Sequence, residues 1–336
     1  MGTTEETEKD PAESPDPGRA EGGRIGTHRT ERPGPLLVCV GGVHGNEPAG
    51  VRALESVLRE LRSEDAPPFR GTFVALAGNL GALETSVRFR DRDLNRQWTD
   101  PRTEELRGSG AVRPELGPEG REQKRLLGIL EETLEEDRRG PAYLVDLHTT
   151  SSESPPFGIV GRREACRRFS RDFPIPHVRG LERHLPGMLA DWACRRGFAS
   201  FTAEAGQHEA SSSVDRLRAV VWTALAAAGL VEEDEAPVVR ARQLLSRSSG
   251  GVPRRLDVRY RHAITPDNGF RMRPGWKNFD RVLEGDVLAD DREGEVPAPH
   301  SGLLFLPLYQ ELGSDGFFLV RAAESDDESE QRDDEE

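Results

Sequence analysis

Lysine is nearly missing from this chain of 336 residues, which has only Lys9, Lys124 and Lys277. Almost every positive charge is therefore arginine, and acids still outnumber bases, leaving a net charge of −14 at pH 7. Such a surface repels polyanions, which argues against nucleic acid and anionic membranes as main partners. An acid excess with little lysine suits a high-salt cytoplasm and, equally, a GC-rich genome. Cysteine is scarce too: Cys39, Cys166 and Cys194 make an odd count without a CxxC pair. That pattern points to a reducing compartment with no thiolate metal site. The first 30 residues lack the apolar core of a signal peptide, and no run approaches the roughly 18 apolar residues of a membrane span. The expectation is a soluble cytoplasmic protein.

Apolar residues make up 35 % of the chain, a low figure that two polar ends partly explain. Glu324–Glu336 holds nine acids and one arginine, a net of −8 out of the −14. Neither this block nor residues 1–34 can bury enough apolar area to offset the entropy of ordering, so both read as disordered tails. Between them the sequence divides into an α/β unit over 35–230 and a small all-β unit over 237–322, with a disordered acidic tail from 323. The acidic stretch Val231–Ala236 reads as the linker.

Leu36–Val40 is an unbroken apolar run, the mark of a fully buried strand. Val51, Leu54, Leu58 and Leu61 then recur at helical spacing, as do Leu126, Leu127, Leu130 and Leu134 further on. Gly71–Ala77, Tyr143–Leu147, Phe157–Val160 and Phe198–Ala203 read as strands, and Met188, Leu189 and Trp192 as a short helix. Strands alternating with helices imply a mostly parallel sheet covered on both faces, with ligands bound beyond the carboxyl ends of its strands. Past residue 245, Gly, Pro and Asp recur between short β-type runs, of which Val282–Ala289 and Leu303–Pro307 are the clearest.

Gly41-Gly42-Val43-His44-Gly45-Asn46-Glu47-Pro48 follows the first apolar run and sets an imidazole and a carboxylate three positions apart on an open turn. His148 closes a second strand in the same manner. Two imidazoles and one carboxylate are the three protein ligands of a catalytic zinc site that keeps one position open. The expected metal ligands are therefore His44, Glu47 and His148, holding one zinc ion per chain. Asp146 shares the side of its strand with His148 and is placed either to hydrogen-bond a ligand imidazole or, as a strand-end acid, to bond backbone. Taken alone, a glutamate at a helix start is explained equally well as a cap. His28, His177, His184, His208, His262 and His300 lack partners at ligand spacing and read as surface or core residues.

GGVHGNEPAG, RFRDRDLNRQW, DLHTTSS and EAGQ, in that order from Leu36 to Gln207, resemble the motifs of the succinylglutamate desuccinylase/aspartoacylase family, within the zinc carboxypeptidase clan. The resemblance implies a carboxypeptidase-like α/β domain followed by a small β domain. Carried over, His44, Glu47 and His148 match the family's zinc ligands and Glu204 its general base. Arg88 matches the arginine that polarises the scissile carbonyl, and Asn95 with Arg96 the pair that grips a substrate carboxylate. A planar guanidinium suits the last task because it pairs with a carboxylate through two parallel bonds. Asp93 is expected to brace Arg88 or Arg96. Family members acting on N-acetylaspartate read the side-chain carboxylate with Arg and Tyr residues between the second histidine and the base. Here residues 162–183 of that stretch hold seven arginines, and the stretch has no tyrosine. For the family's small-domain tyrosine, Tyr260 and Tyr309 are available, with Tyr309 preferred. The implied activity is zinc-dependent cleavage of the amide of an N-acyl amino acid, of N-succinylglutamate or N-acetylaspartate type. The alternatives are a metallocarboxypeptidase acting on peptides and a non-enzymatic zinc-stabilised module that binds a carboxylated ligand. Runs around Gly285 and Gly302 are similar to biotinyl and lipoyl carriers, but Lys277 precedes them and carrier function is rejected.

Overall fold

The computed structural model describes residues 21–108, 116–136 and 140–323. Most of the expected N-terminal tail and all of the acidic block from Glu324 lie outside the described residues. The frame is an eleven-stranded sheet in the order β1-β3-β2-β4-β7-β5-β6-β8-β14-β13-β10. Its N-terminal strands are β1 (Arg24–Arg29), β2 (Leu36–Gly41), β3 (Thr72–Ala77), β4 (Ala142–Thr150), β5 (Phe157–Val160), β6 (His177–Arg179) and β7 (Ala199–Gln207). The C-terminal segment adds β8 (Arg255–Ala263), β10 (Arg281–Val282), β13 (Gly302–Phe305) and β14 (Asp315–Ala322). A second sheet joins β9 (Arg271–Met272), β11 (Val287–Asp291) and β12 (Gly294–Pro297). Pairing is parallel through β3, β2, β4 and β7 and antiparallel across β8, β14, β13 and β10.

Alternation along β2 explains why its apolar run is unbroken. Leu37 and Cys39 enter one buried cluster with α1 (Ala49–Leu61), α7 (Ser211–Ala227) and α8 (Ala236–Ser248). Leu36, Val38 and Val40 enter the other, with residues of α3 (Asp100–Arg107), α4 (Gly117–Glu136) and α6 (Leu189–Arg195). With helices on both faces, no residue of the strand meets water, so no polar position interrupts it. The fold class is the expected one, a mostly parallel α/β sheet followed by an all-β segment. Two short helices, α2 (Leu80–Thr85) and α5 (Glu164–Arg171), complete the α/β part.

Three sequence expectations change. Arg24–Arg29, placed in the N-terminal tail by its polarity, is an edge strand antiparallel to β3. An edge strand with one partner needs no apolar run, and its residues are only half-buried. Cys166 on α5 and Cys194 on α6 are joined by a disulfide, whereas unpaired thiols were expected. Their separation of 28 residues in sequence hides a Cα–Cα distance of 6.7 Å. Val282–Ala289 is two strands, β10 and β11, which belong to different sheets and are divided by a turn at Gly285. Among the described residues, no helix is long and apolar enough to cross a membrane.

Candidate functional site

The turn after β2 is tight by necessity. A side chain on Gly45 would bring its Cβ to 2.1 Å from the carbonyl carbon of Ala82 in α2, and Gly42 has a φ of +72°. Only glycine fits both demands. The turn is tied down by the Gly45 N–H donating to the Arg88 carbonyl at 3.2 Å. Glu47 then precedes the first turn of α1 and points back over the end of β2, where β4 lies alongside in parallel register.

His44, Glu47 and His148 are all buried, and one donor atom from each lies within 4.8 Å of the others. His44 Nδ1 is 2.8 Å from Glu47 Oε1, and His148 Nδ1 is 3.0 Å from Glu47 Oε2. The far nitrogens are each met by a carboxylate: His44 Nε2 by Asp93 Oδ1 at 3.0 Å, His148 Nε2 by Asp146 Oδ2 at 2.9 Å. A carboxylate only accepts, so Asp93 fixes a proton on His44 Nε2 and turns its Nδ1 toward the shared point, while Asp146 stands at ion-pair distance from His148 Nε2. Asp146 lies beside the imidazole of His148, at ion-pair distance and without the hydrogen bond that the sequence offered as one of its two roles. The role of Asp93 is wider than expected, because it braces His44 as well as receiving Arg88 Nη2 at 3.0 Å.

Charge at this point favours a cation. Burial works against the Glu47 charge, yet His44 and His148 hold its carboxyl well below the usual carboxylate range. Burial likewise disfavours a charged His148, but Asp146 and Glu47 outweigh it and raise its pKa well above the ordinary value. A site that retains an extra proton this firmly presents the field and the donor set that a single divalent ion needs. Two imidazoles and a carboxylate suit zinc in particular.

Glu204 lies beside His148 across the parallel β4–β7 pair. Ala203 and Ala205 face the α1 and α7 side, so Glu204 faces the same side as His148. It is buried, its Oε2 has no hydrogen-bond partner, and burial pushes its pKa up to about 8. A cavity of about 400 Å³ opens over these groups. Arg88, Asn95 and Arg96 line it, with Asn95 held by the Leu189 N–H donating to its Oδ1 at 2.8 Å.

Not every candidate arrives there. Tyr309 does not line the cavity; its hydroxyl donates to the Arg273 carbonyl and accepts from the Trp276 N–H, which fixes the ring elsewhere. Tyr260 bonds His262 instead. None of the arginines between Arg162 and Arg183 is among the cavity residues. Conversely, His208 does line the cavity, with Nδ1 2.8 Å from Thr149 Oγ1, although sequence spacing set it aside. Its place follows from β7 continuing past Glu204, a signal that ligand spacing does not register.

The sequence model of the succinylglutamate desuccinylase/aspartoacylase catalytic domain matches residues 33–226, more than half of the chain. Solved structures share the architecture. A succinylglutamate desuccinylase/aspartoacylase from Rhodobacter sphaeroides is 20 % identical, with 88 % of this chain and 87 % of that chain covered at a TM-score of 0.64. A product-bound ectoine utilization protein from Ruegeria pomeroyi is also 20 % identical, at 88 % and 87 % coverage and a TM-score of 0.61. An aspartoacylase family protein from Mesorhizobium loti is 17 % identical, at 89 % and 88 % coverage and a TM-score of 0.59.

Proposed function

The chain belongs to the succinylglutamate desuccinylase/aspartoacylase family, and from that premise we propose that it is a zinc-dependent deacylase that hydrolyses the amide of an N-acyl amino acid. The observation carrying this reading is the orphaned, buried Glu204 carboxylate beside the His44–Glu47–His148 cluster. Held by those three groups, zinc supplies Lewis acidity that polarises a carbonyl and makes water easier to deprotonate. The remaining work falls to the chain. Glu204, with a raised pKa, takes a proton from the attacking water at Oε2 and passes it to the departing nitrogen. Arg88 faces the carbonyl oxygen as it gains charge, held in aim by Asp93. Asn95 and Arg96 hold the carboxylate of the amino-acid part. In balance, the amide C–N bond breaks, the acyl carbon gains the water oxygen, and the nitrogen gains both water protons. We assign the hydrolytic machinery to 35–230, and to 237–322 the role of closing the cavity, to which it contributes Leu306 and Phe318.

The test is turnover of N-acetyl and N-succinyl amino acids after chelation and after readdition of zinc. Activity is expected to vanish and return, and to fall by about 10²-fold or more in Glu204→Gln. Full activity in chelator would rule out the metal mechanism. Faster cleavage of short peptides than of N-acyl amino acids would favour a carboxypeptidase.

A further inference from the structure

The cavity wall facing the metal cluster is apolar where a reader of a second carboxylate would need charge. Ile159, Leu181, Leu185, Met188 and Phe318 line it, and all five belong to one buried hydrophobic cluster with Leu306 packed against it. Leu306, also in the lining, is held in the left-handed region at a φ of +49°. Its N–H donates to Asn278 Oδ1 at 2.6 Å, and Asn278 Nδ2 donates to Ser152 Oγ at 3.1 Å. A non-glycine residue at positive φ costs about 1–3 kcal/mol, which these hydrogen bonds help to offset. Here it presents an isobutyl group to the wall.

The charges available for substrate are few. Arg88 and Arg96 are the only arginines among the described cavity residues. Arg88 is engaged by Asp93, which leaves Arg96 to receive a carboxylate. The carboxylate of Asp315 also lines the cavity, where it is paired with Arg261 Nε at 2.5 Å, and the opposed fields of the two both reach Arg96. A second anionic group would meet that closed ion pair and a hydrocarbon wall. The wall also sits beside the carboxylate end. The Leu189 N–H is bonded to Asn95, the Trp98 N–H donates to the Gly187 carbonyl at 3.0 Å, and a Cβ on Gly187 would lie 2.3 Å from the Arg96 carbonyl oxygen. The Leu181–Met188 segment is thus fastened to the residues placed to grip the α-carboxylate, one bond away from where an amino-acid side chain branches.

We propose that the amino-acid part of the substrate carries one carboxylate and an apolar side chain of leucine, methionine or phenylalanine size, seated on Ile159, Leu181, Leu185, Met188, Leu306 and Phe318. This assignment rests on the deacylase reading and narrows its substrate. Burying a carboxylate on that wall leaves it without a partner, whereas an apolar side chain is removed from water at a gain.

The experiment compares the zinc-loaded full chain on N-acetylleucine, N-acetylmethionine, N-acetylaspartate, N-succinylglutamate and N-hexanoylglycine. At least a tenfold higher kcat/KM for N-acetylleucine than for either dicarboxylate is expected. Turnover that favours a dicarboxylate overturns the assignment and leaves the deacylase standing. Turnover that favours N-hexanoylglycine over N-acetylleucine moves the apolar group to the acyl side and also overturns it. If nothing is hydrolysed, the deacylase reading fails, and calorimetry with the same compounds decides the pocket: tighter binding of N-acetylleucine than N-acetylaspartate supports it, and equal or weaker binding overturns it. Leu185→Arg is expected to narrow the preference for N-acetylleucine by tenfold or more. In the milder Met188→Ala, kcat/KM for N-acetylleucine is expected to fall about fivefold more than that for N-acetylaspartate; parallel losses on both substrates would count against the wall.

Discussion

The Glu119 carboxylate, in the first turn of α4, accepts the N–H groups of Arg90, Asp91 and Arg92 at 2.7, 3.0 and 3.2 Å. It also accepts the side-chain amide of Asn79 at 3.2 Å. Burial opposes its charge, but these four donors hold its pKa below the usual range. The segment it grips lies between Arg88 and Asn95, so one buried acid holds a loop whose ends both reach the cavity. Glu119→Gln replaces an acceptor oxygen by an NH₂ group and leaves at least one of the donors unsatisfied, which costs about 1–3 kcal/mol. The expected outcome is a denaturation midpoint lowered accordingly, with KM raised several-fold and zinc affinity unchanged. A loss of stability with unaltered KM would make Glu119 purely structural. Position 119 carries no mark in the sequence, because an acid in the first turn of a helix is ordinary. The cluster of His44, Glu47 and His148 was legible because imidazole and carboxylate are metal-ligand types and each follows a strand-like run of the parallel sheet. The partners of Tyr309, the Arg273 carbonyl and the Trp276 N–H, were not legible because a residue type says nothing about where its hydroxyl bonds.

At the scale of elements, β6 is the narrowest part of the frame. Its three residues, His177–Arg179, pair with β5 on one side and β8 on the other, and so join the α/β strands to the C-terminal ones. His177 is buried there, its Nε2 has no partner, and burial with the nearby Arg254 charge lowers its pKa to about 3. The sign follows from linkage. The folded state resists a proton that the unfolded chain accepts near the ordinary value of 6.5, so the stability this group contributes is complete above pH 6.5 and is lost as pH falls toward 3. At pH 5 the loss is about 2 kcal/mol. Urea unfolding of the parent and of His177→Gln at pH 7.5 and pH 5 checks this: the gap between them is expected to shift by that amount in favour of the variant at pH 5. A constant gap would mean that His177 takes up its proton in the folded state. Elements buried along their length were readable in sequence because composition and periodicity record burial, as in β2 and α1. β1 is as long as β2 but polar and half-buried, and β6 holds too few residues for a period; both exist because neighbouring strands offer them hydrogen bonds.

Across the whole molecule, the site collects segments that are far apart in the chain: the turn after β2, the Arg88–Arg96 loop and the ends of β4 and β7, with Leu306 and Phe318 from the C-terminal strands over them. The candidate metal donors and the proposed base were visible in sequence because each follows a strand-like run, and parallel strands bring those ends together. The apolar wall was not. Leu181, Leu185 and Met188 look like any core residues until the fold leaves space beside them. A ligand that bridges such distant segments in the native state alone must stabilise the whole, by about 4.1 kcal/mol when its concentration is a thousand times its dissociation constant. Saturating zinc is therefore expected to raise the melting temperature of the chelated protein by several degrees. In His148→Ala, where one of three donors is gone, most of that rise should disappear, and the chelated variant should melt below the chelated parent because Glu47 and Asp146 lose the partner they share. Scanning calorimetry of both proteins, with and without zinc, checks the claim. An equal rise in the variant would place the ion away from the point where His44, Glu47 and His148 converge.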